Sequence, residues 1–236
     1  MKTKNQTIST SAVCAFLAVL MLCNSVVAQM RNHKIRAPFG IFQKDSLTID
    51  GISVGLWSIN QNSRHTKTNG VRVELIGLGV VMPLISRSPV VETKEGFMKV
   101  KSMPLSEQVN GLNLSGTGTL CDCKINGLTA GLIGQINFQV NGISTSLYGN
   151  LSQKHNGLMA AFGFNEAFYV NGLQMGMGNT GYITKGVQLG FMGNYANEMT
   201  GLQIGLFNES KHLKGLQLGL WNVTNKRKLP LVNWGW

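Results

Sequence analysis

A glycine recurs every 14 or 15 residues through the second half of this chain, and each one opens a near-copy of the same short motif. The copies read GISTSLYGN from Gly142, GLMAAFGFN from Gly157, GLQMGMGN from Gly172, GVQLGFMGN from Gly186, GLQIGLFN from Gly201 and GLQLGLWN from Gly215. Seven positions separate each closing asparagine (Asn150, Asn165, Asn179, Asn194, Asn208) from the next glycine, so the one-residue variation sits in the glycine-to-asparagine half. Fainter copies begin at Gly51, Gly70, Gly111 and Gly127. A fixed period this short marks a repeat architecture, in which each unit is completed by its neighbours.

Within a unit the apolar residues alternate: Leu202, Ile204 and Leu206 in one copy, Leu216, Leu218 and Leu220 in the next, with Gln203, Gly205, Gln217 and Gly219 between them. Period two means strands with one apolar face. The Asn-Gly pairs at Asn126, Asn141, Asn156 and Asn171 are turn formers, because both residues tolerate positive φ. No proline occurs between Leu105 and Leu229, as unbroken hydrogen-bonded ladders require. Residues 126–222 therefore read as an all-β array.

Two architectures accommodate that array. In a parallel β-solenoid each repeat is one coil and equal positions stack. Gln174, Gln188, Gln203 and Gln217 would then form one amide ladder and the closing asparagines another. In an outer-membrane β-barrel each repeat is a strand plus a turn, with Leu, Ile and Met toward lipid and Gln and Gly toward the lumen. Three outward side chains span about 20 Å of strand, nearer 15 Å once tilted, against a barrel band about 25 Å tall. Barrels also alternate short turns with long loops, whereas the spacers here are uniform. Both points favour the solenoid and leave the barrel as the alternative. The aromatic ending, with Trp234 and Trp236, resembles a barrel's terminal strand and equally suits a cap over a solenoid's exposed edge.

The N-terminus reads as a secretory signal peptide spanning residues 1–28. Lys2 and Lys4 precede an apolar stretch from Ala12 to Leu22, and Val26-Val27-Ala28 supplies small residues before Gln29. Cleavage there removes Cys14 and Cys23 and leaves only Cys121 and Cys123, a pair that allows at most a local bridge. Such an exported chain has no disulfide framework and must be held by its core. Residues 29–50 form a lead-in, 51–125 an irregular β region, 126–222 the regular array, and 223–236 a basic turn with an aromatic strand.

Residues 84–109 break the rhythm with Pro89, Pro104 and a cluster of charges, and read as a surface loop or a degenerate repeat. Long insertions on a rigid scaffold are also places where binding concentrates. Residues 71–86 are the most apolar stretch of the mature chain and read as one or two buried strands, with Glu74 at an edge. Catalytic chemistry is missing from the pattern. His33, His65, His155 and His212 lie far apart with no metal-ligand spacing. No pair of acidic residues stands out as acid and base. Gly176 and Gly178 precede no helix that would cradle a phosphate, so no cofactor is expected. Phe207 and Trp221, with Tyr148 and Met192 at the same distance from their glycines, fall opposite the leucines. On a solenoid they would form a short exposed stripe, the candidate interaction site.

The string VNGL, INGL, VNGI leading into KGLQLGLWNVTNKRKLPLVNW resembles surface-repeat proteins found in Bacteroidota and Leptospira, which carry glycine-led repeats and a similar LPxxNW ending. The likeness covers residues 110–236 well and 51–109 loosely. It implies an envelope or cell-surface setting and carries no catalytic residue with it.

The formal charge of +11 raises nucleic acid as a partner, but its distribution argues against one. The signal peptide carries +2, residues 29–72 carry +5, the regular array only +1, and Lys226, Arg227 and Lys228 add +3. A nucleic-acid groove would place Lys and Arg along the repeated face, and that face is Gln and Gly. The expectation is a non-enzymatic envelope or surface module with a structural, adhesive or interaction role. Its partners would be envelope components or other surface proteins, with association with a membrane as a further option.

Overall fold

A computed structural model describes residues 34–58 and 65–236. The segment expected to be a signal peptide, with Cys14 and Cys23, and His33 lie outside the described residues. The short strands β1 (Lys34–Arg36) and β2 (Phe39–Ile41) precede β3 (Leu47–Gly55), β4 (Thr66–Glu74), a 3-10 segment (Gly79–Leu84) and the helix α1 (Lys94–Lys101). Then follow β5 (Glu107–Ser115), β6 (Leu120–Gly131), β7 (Gly134–Ser146), β8 (Gly149–Ala161), β9 (Phe164–Thr224) and β10 (Lys228–Gly235). From β3 to β9 each strand pairs in parallel with the next, and only β10 is antiparallel, against the last coil. The fold is a β-solenoid of about nine turns and not a barrel.

The repeat glycines set the register. Gly51, Gly70, Gly111, Gly127, Gly142, Gly157 and Gly172 pair in succession, so the faint early copies are coils in register with the strong ones. Every glycine in this column, through Gly215, has φ between 126° and 142°. A Cβ on Gly172 would lie 2.1 Å from the Gly157 carbonyl oxygen, and one on Gly215 would lie 1.9 Å from that of Gly201. Only glycine satisfies both the backbone angle and the approach of the coil before it. The asparagines preceding these glycines keep negative φ. Their side chains form an outer ladder instead, from Asn69 onto Asp50 (2.7 Å), Asn110 onto Asn69 (2.7 Å), Asn126 onto Asn110 (2.7 Å), Asn141 onto Asn126 (2.7 Å) and Asn156 onto Asn141 (2.6 Å).

The interior reverses the usual sense of the alternation. Gln174, Gln188, Gln203 and Gln217 are wholly buried, whereas Ile204 and Leu220 on the opposite side of the same strands are exposed. Each glutamine amide donates to the glutamine one coil earlier: Gln188 to Gln174 (2.7 Å), Gln203 to Gln188 (2.7 Å) and Gln217 to Gln203 (2.8 Å). A second internal ladder joins Asn150, Asn165, Asn179, Asn194, Asn208 and Asn222 at 2.8–3.0 Å. Both amide ladders of the solenoid reading are present; the leucine face, however, is the outer one. Inward glycines make room for the amides: a Cβ on Gly219 would lie 2.5 Å from the Asn208 Nδ2. Small apolar clusters, such as Val109, Ile125 and Val140, fill the remaining interior.

Toward the N-terminal end a charged group occupies the interior column that glutamine fills later. Arg72 is fully buried and donates to Glu107 (2.9 Å), Asn113 (2.7 Å) and Ser58, with Glu74 at 3.7 Å and its guanidinium 3.8 Å above the Phe42 ring. Glu74 is thus inside the solenoid, not at an edge, and only the first part of residues 71–86 is strand; the rest enters the 3-10 segment. Cys121 and Cys123 are disulfide-bonded across Asp122, where two residues of β6 oppose one of β7 in a β-bulge. The insertion is not a free loop. Thr93 caps α1 by accepting from the Gly96 N–H (3.0 Å), and Phe97 packs on Phe168 and Tyr169 at ring separations of 5.2 and 4.7 Å.

Both ends of the stack are covered. The antiparallel β10 closes the last coil, its Asn233 amide donating to Gln217 (3.0 Å) to end the glutamine ladder, and β1 and β2 lie on β3 at the other end. The edge strands that result are short at one end and broken by Pro230 and a bulge at the other, which disfavours pairing with further strands.

Candidate interaction surface

The strand segment after each repeat glycine points its first, third and fifth residues outward, which brings the alternating Val, Ile, Leu and Met side chains of ten stacked strand segments onto one flat face. Along its corner project Leu75, Leu132, Leu147, Phe162, Phe191 and Leu220, of which Phe162 is 78% and Phe191 71% exposed. Within the six residues after each repeat glycine the charged residues are Arg72 and Glu74, and both point inward. The outer side of this face therefore carries no charge over its full length. Val80, Val81 and Leu84 of the 3-10 segment are exposed as well, and Met82 is seated in the space left by Gly134 and Gly149. Shallow grooves of about 550 and 670 Å³ run along it, the second closed at one end by Leu231 of β10.

Tyr148, Met192, Phe207 and Trp221 are all exposed, between 41% and 56%. They adjoin the leucine face at its corner and do not oppose it. They also divide into two columns. The asparagine ladder places Phe207 and Trp221 one position before Asn208 and Asn222, whereas Tyr148 and Met192 stand two positions before Asn150 and Asn194. The extra residue in the longer copies shifts the column, and Tyr148 meets Phe164 edge-on at 6.4 Å instead. Counting from the glycine alone hid this offset. The much larger apolar face was also hidden, because alternation does not say which side is inside.

Other chemistry is enclosed or dispersed. Ser144 Oγ lies 3.0 Å from His155 Nε2, but both residues are sealed in the interior, where no substrate reaches them. Burial lowers the His155 pKa to about 4 and keeps the imidazole neutral. Among the described residues no group of three His, Cys, Asp or Glu is placed to hold a metal ion, and no helix is long and apolar enough to cross a membrane. Between α1 and the array a groove of about 640 Å³ is lined by Lys94, Lys101, Lys154 and Lys185 together with Tyr169, Asn156 and Asn171. Lys94 is held by Glu198 at 2.9 Å, and this hydrogen bond raises the lysine pKa. Under the insertion, burial raises the Tyr182 pKa to about 12.

Comparison with protein-family models, with curated proteins and with solved structures finds no match for this chain.

Proposed function

We propose that this protein is an exported, non-enzymatic β-solenoid that serves the cell envelope or cell surface as a structural or adhesive module, binding through its uncharged apolar face. The observation that carries the reading is the size of that face. Nine steps of about 4.8 Å along the stack and five steps of about 3.3 Å along each strand give roughly 700 Å² of flat, chargeless surface, above the range of ordinary apolar patches on monomers. The apolar side chains are held by a rigid polar interior and cannot withdraw into a core. Export is supported by the N-terminal sequence, and an envelope setting by the likeness to surface-repeat proteins.

The test is fractionation of cells producing the full-length chain or its Ile204→Lys, Phe191→Lys variant, followed by proteolysis of intact cells. The reading expects the native chain in the envelope fraction, cleavable from outside if it is surface-displayed, and the variant displaced to the soluble fraction. A native chain retained in the cytoplasm, or a variant that partitions as the native chain does, would refute it.

A second reading is favoured by the lysine-lined groove beside α1. There the insertion would help to hold an anionic ligand, since four ammonium groups face one carboxylate and an aromatic ring offers a stacking surface. Charge reversal by Lys154→Glu with Lys185→Glu should abolish retention on a sulfated-polysaccharide column at low salt. Unchanged retention would remove this reading.

A further inference from the structure

Resting on the reading of the apolar face as a docking surface, we propose that its occupant is a second copy of this chain, packed face to face about a two-fold axis. Area is the first argument. Roughly 700 Å² per partner is close to the ~800 Å² that a standard stable interface takes from each side. The chemistry is the second. The centres of homodimer interfaces are apolar and depleted of charge, and this face bears no outward charge from its first coil to its last.

Geometry supplies the third argument. Columns of Leu, Ile, Val and Met repeat at the strand spacing on both copies, so the ridges of one sheet match the grooves of the other, as in stacked sheets about 10 Å apart. A face that meets its own copy closes the assembly at two subunits. Strand-to-strand growth is disfavoured separately, because the edge strands β1 and β2 are only three residues long and the edge strand β10 carries Pro230 within a bulge.

A bilayer is the competing occupant, and the border of the face argues against it. Surfaces that lie in anionic lipid set Lys and Arg beside the apolar residues. The column bordering this face on the glycine side is Asp50 followed by six asparagines, with lysine only at Lys185 and Lys214.

Light scattering coupled to size exclusion, run on the exported protein at micromolar concentration, tests the proposal. The expected result is twice the monomer mass, falling to the monomer mass in the Ile204→Lys, Phe191→Lys variant. Unchanged circular dichroism and melting of the interior would exclude misfolding of the variant, and Lys154→Glu, on another face, should remain dimeric. Should the lysine variant misfold, Ile204→Ser with Phe191→Ser replaces it and is expected to raise the dimer dissociation constant at least 100-fold. A native monomer, or a dimer indifferent to both face variants, would overturn the proposal. Vesicles of phosphatidylethanolamine and phosphatidylglycerol separate its failure from that of the docking reading. A monomer that co-sediments with them through this face leaves the docking reading standing with lipid as occupant; a monomer that does not, and whose fractionation ignores the face substitutions, refutes both.

Discussion

Replacing Gln203 by leucine tests most directly whether amide ladders, and not the leucines, hold the coils together. Gln203 Nε2 donates to Gln188 Oε1 (2.7 Å) and to the Glu209 carbonyl (3.2 Å), and its Oε1 accepts from Gln217 Nε2 (2.8 Å). Leucine fills a similar volume and makes none of these bonds. Three lost bonds at about 1 kcal/mol each, plus about 1–3 kcal/mol for the Gln188 oxygen left buried without its donor, give a gross cost of roughly 4–6 kcal/mol. Gln217 Nε2 keeps the Val223 carbonyl (3.2 Å), which limits the damage on that side. Burying leucine returns about 2 kcal/mol, so the expected net loss is about 2–4 kcal/mol. Leu202→Gln on the adjacent outward position should cost about 1 kcal/mol or less in the separated subunit, because the side chain stays half in water. Urea unfolding followed by circular dichroism measures both. If Leu202→Gln costs more than Gln203→Leu, the assignment of inside and outside is wrong.

Gly172→Ala should lose at least about 3 kcal/mol or fail to fold, since its Cβ would meet the Gly157 carbonyl at 2.1 Å and φ is 139°. Gly178→Ala, where the nearest atom is the movable Phe164 ring at 2.9 Å, should be tolerated; comparable melting temperatures for the two would contradict the glycine-column reasoning. His155 titrates at about 4 when folded and near 6.5 when unfolded, so the unfolded chain binds the extra proton. Stability is then indifferent to this group above about pH 7, falls as pH drops through 6.5, and has lost roughly 3 kcal/mol below pH 4. His155→Val should remove that slope, and an unaltered acid limb of the stability curve would exclude the residue as its source. Phe97→Ala should cost about 3 kcal/mol at the α1 contact and expose residues 84–106 to protease while the coils persist. Unchanged proteolysis would show that the insertion is held by other contacts.

Much of this architecture is legible in particular residues. The spacing from Asn150 to Gly157, and its four equivalents, carries the coil length, and the Gln174 series carries the ladder. What misled was local. Asn126-Gly127 suggests a turn in which both residues take positive φ, yet only the glycine does, because the asparagine amide has a partner one coil away. Glu74 belongs at an edge by every local criterion, and is buried because its carboxylate accepts from Thr119 on a neighbouring coil and lies beside Arg72 of its own strand, whose other partners, Glu107 and Asn113, come from the next coil. The run 84–109 carries charges suited to a loop, but Phe97 meets an aromatic cluster at Phe168 that lies more than seventy residues further on. The four aromatic and methionine positions are exposed but divide into two columns for the opposite reason: the local count from glycine was regular, and the one-residue insertion displaced Tyr148 and Met192 relative to the asparagine ladder.

Period and strand content follow from the chain alone, because each depends on residues within a single repeat. Which face turns inward does not, since alternation is symmetric between its two sides and the preference for apolar interiors points the wrong way here. A glutamine inside one isolated coil would be an unsatisfied amide. Stacked in register with identical coils above and below, it donates to one neighbour and accepts from the other, and the narrow lumen lined by Gly205 and Gly219 has no room for a second apolar face. That satisfaction exists only between coils. It is the physical reason the leucines end on the outside and the reason the outer face of this protein is uncharged.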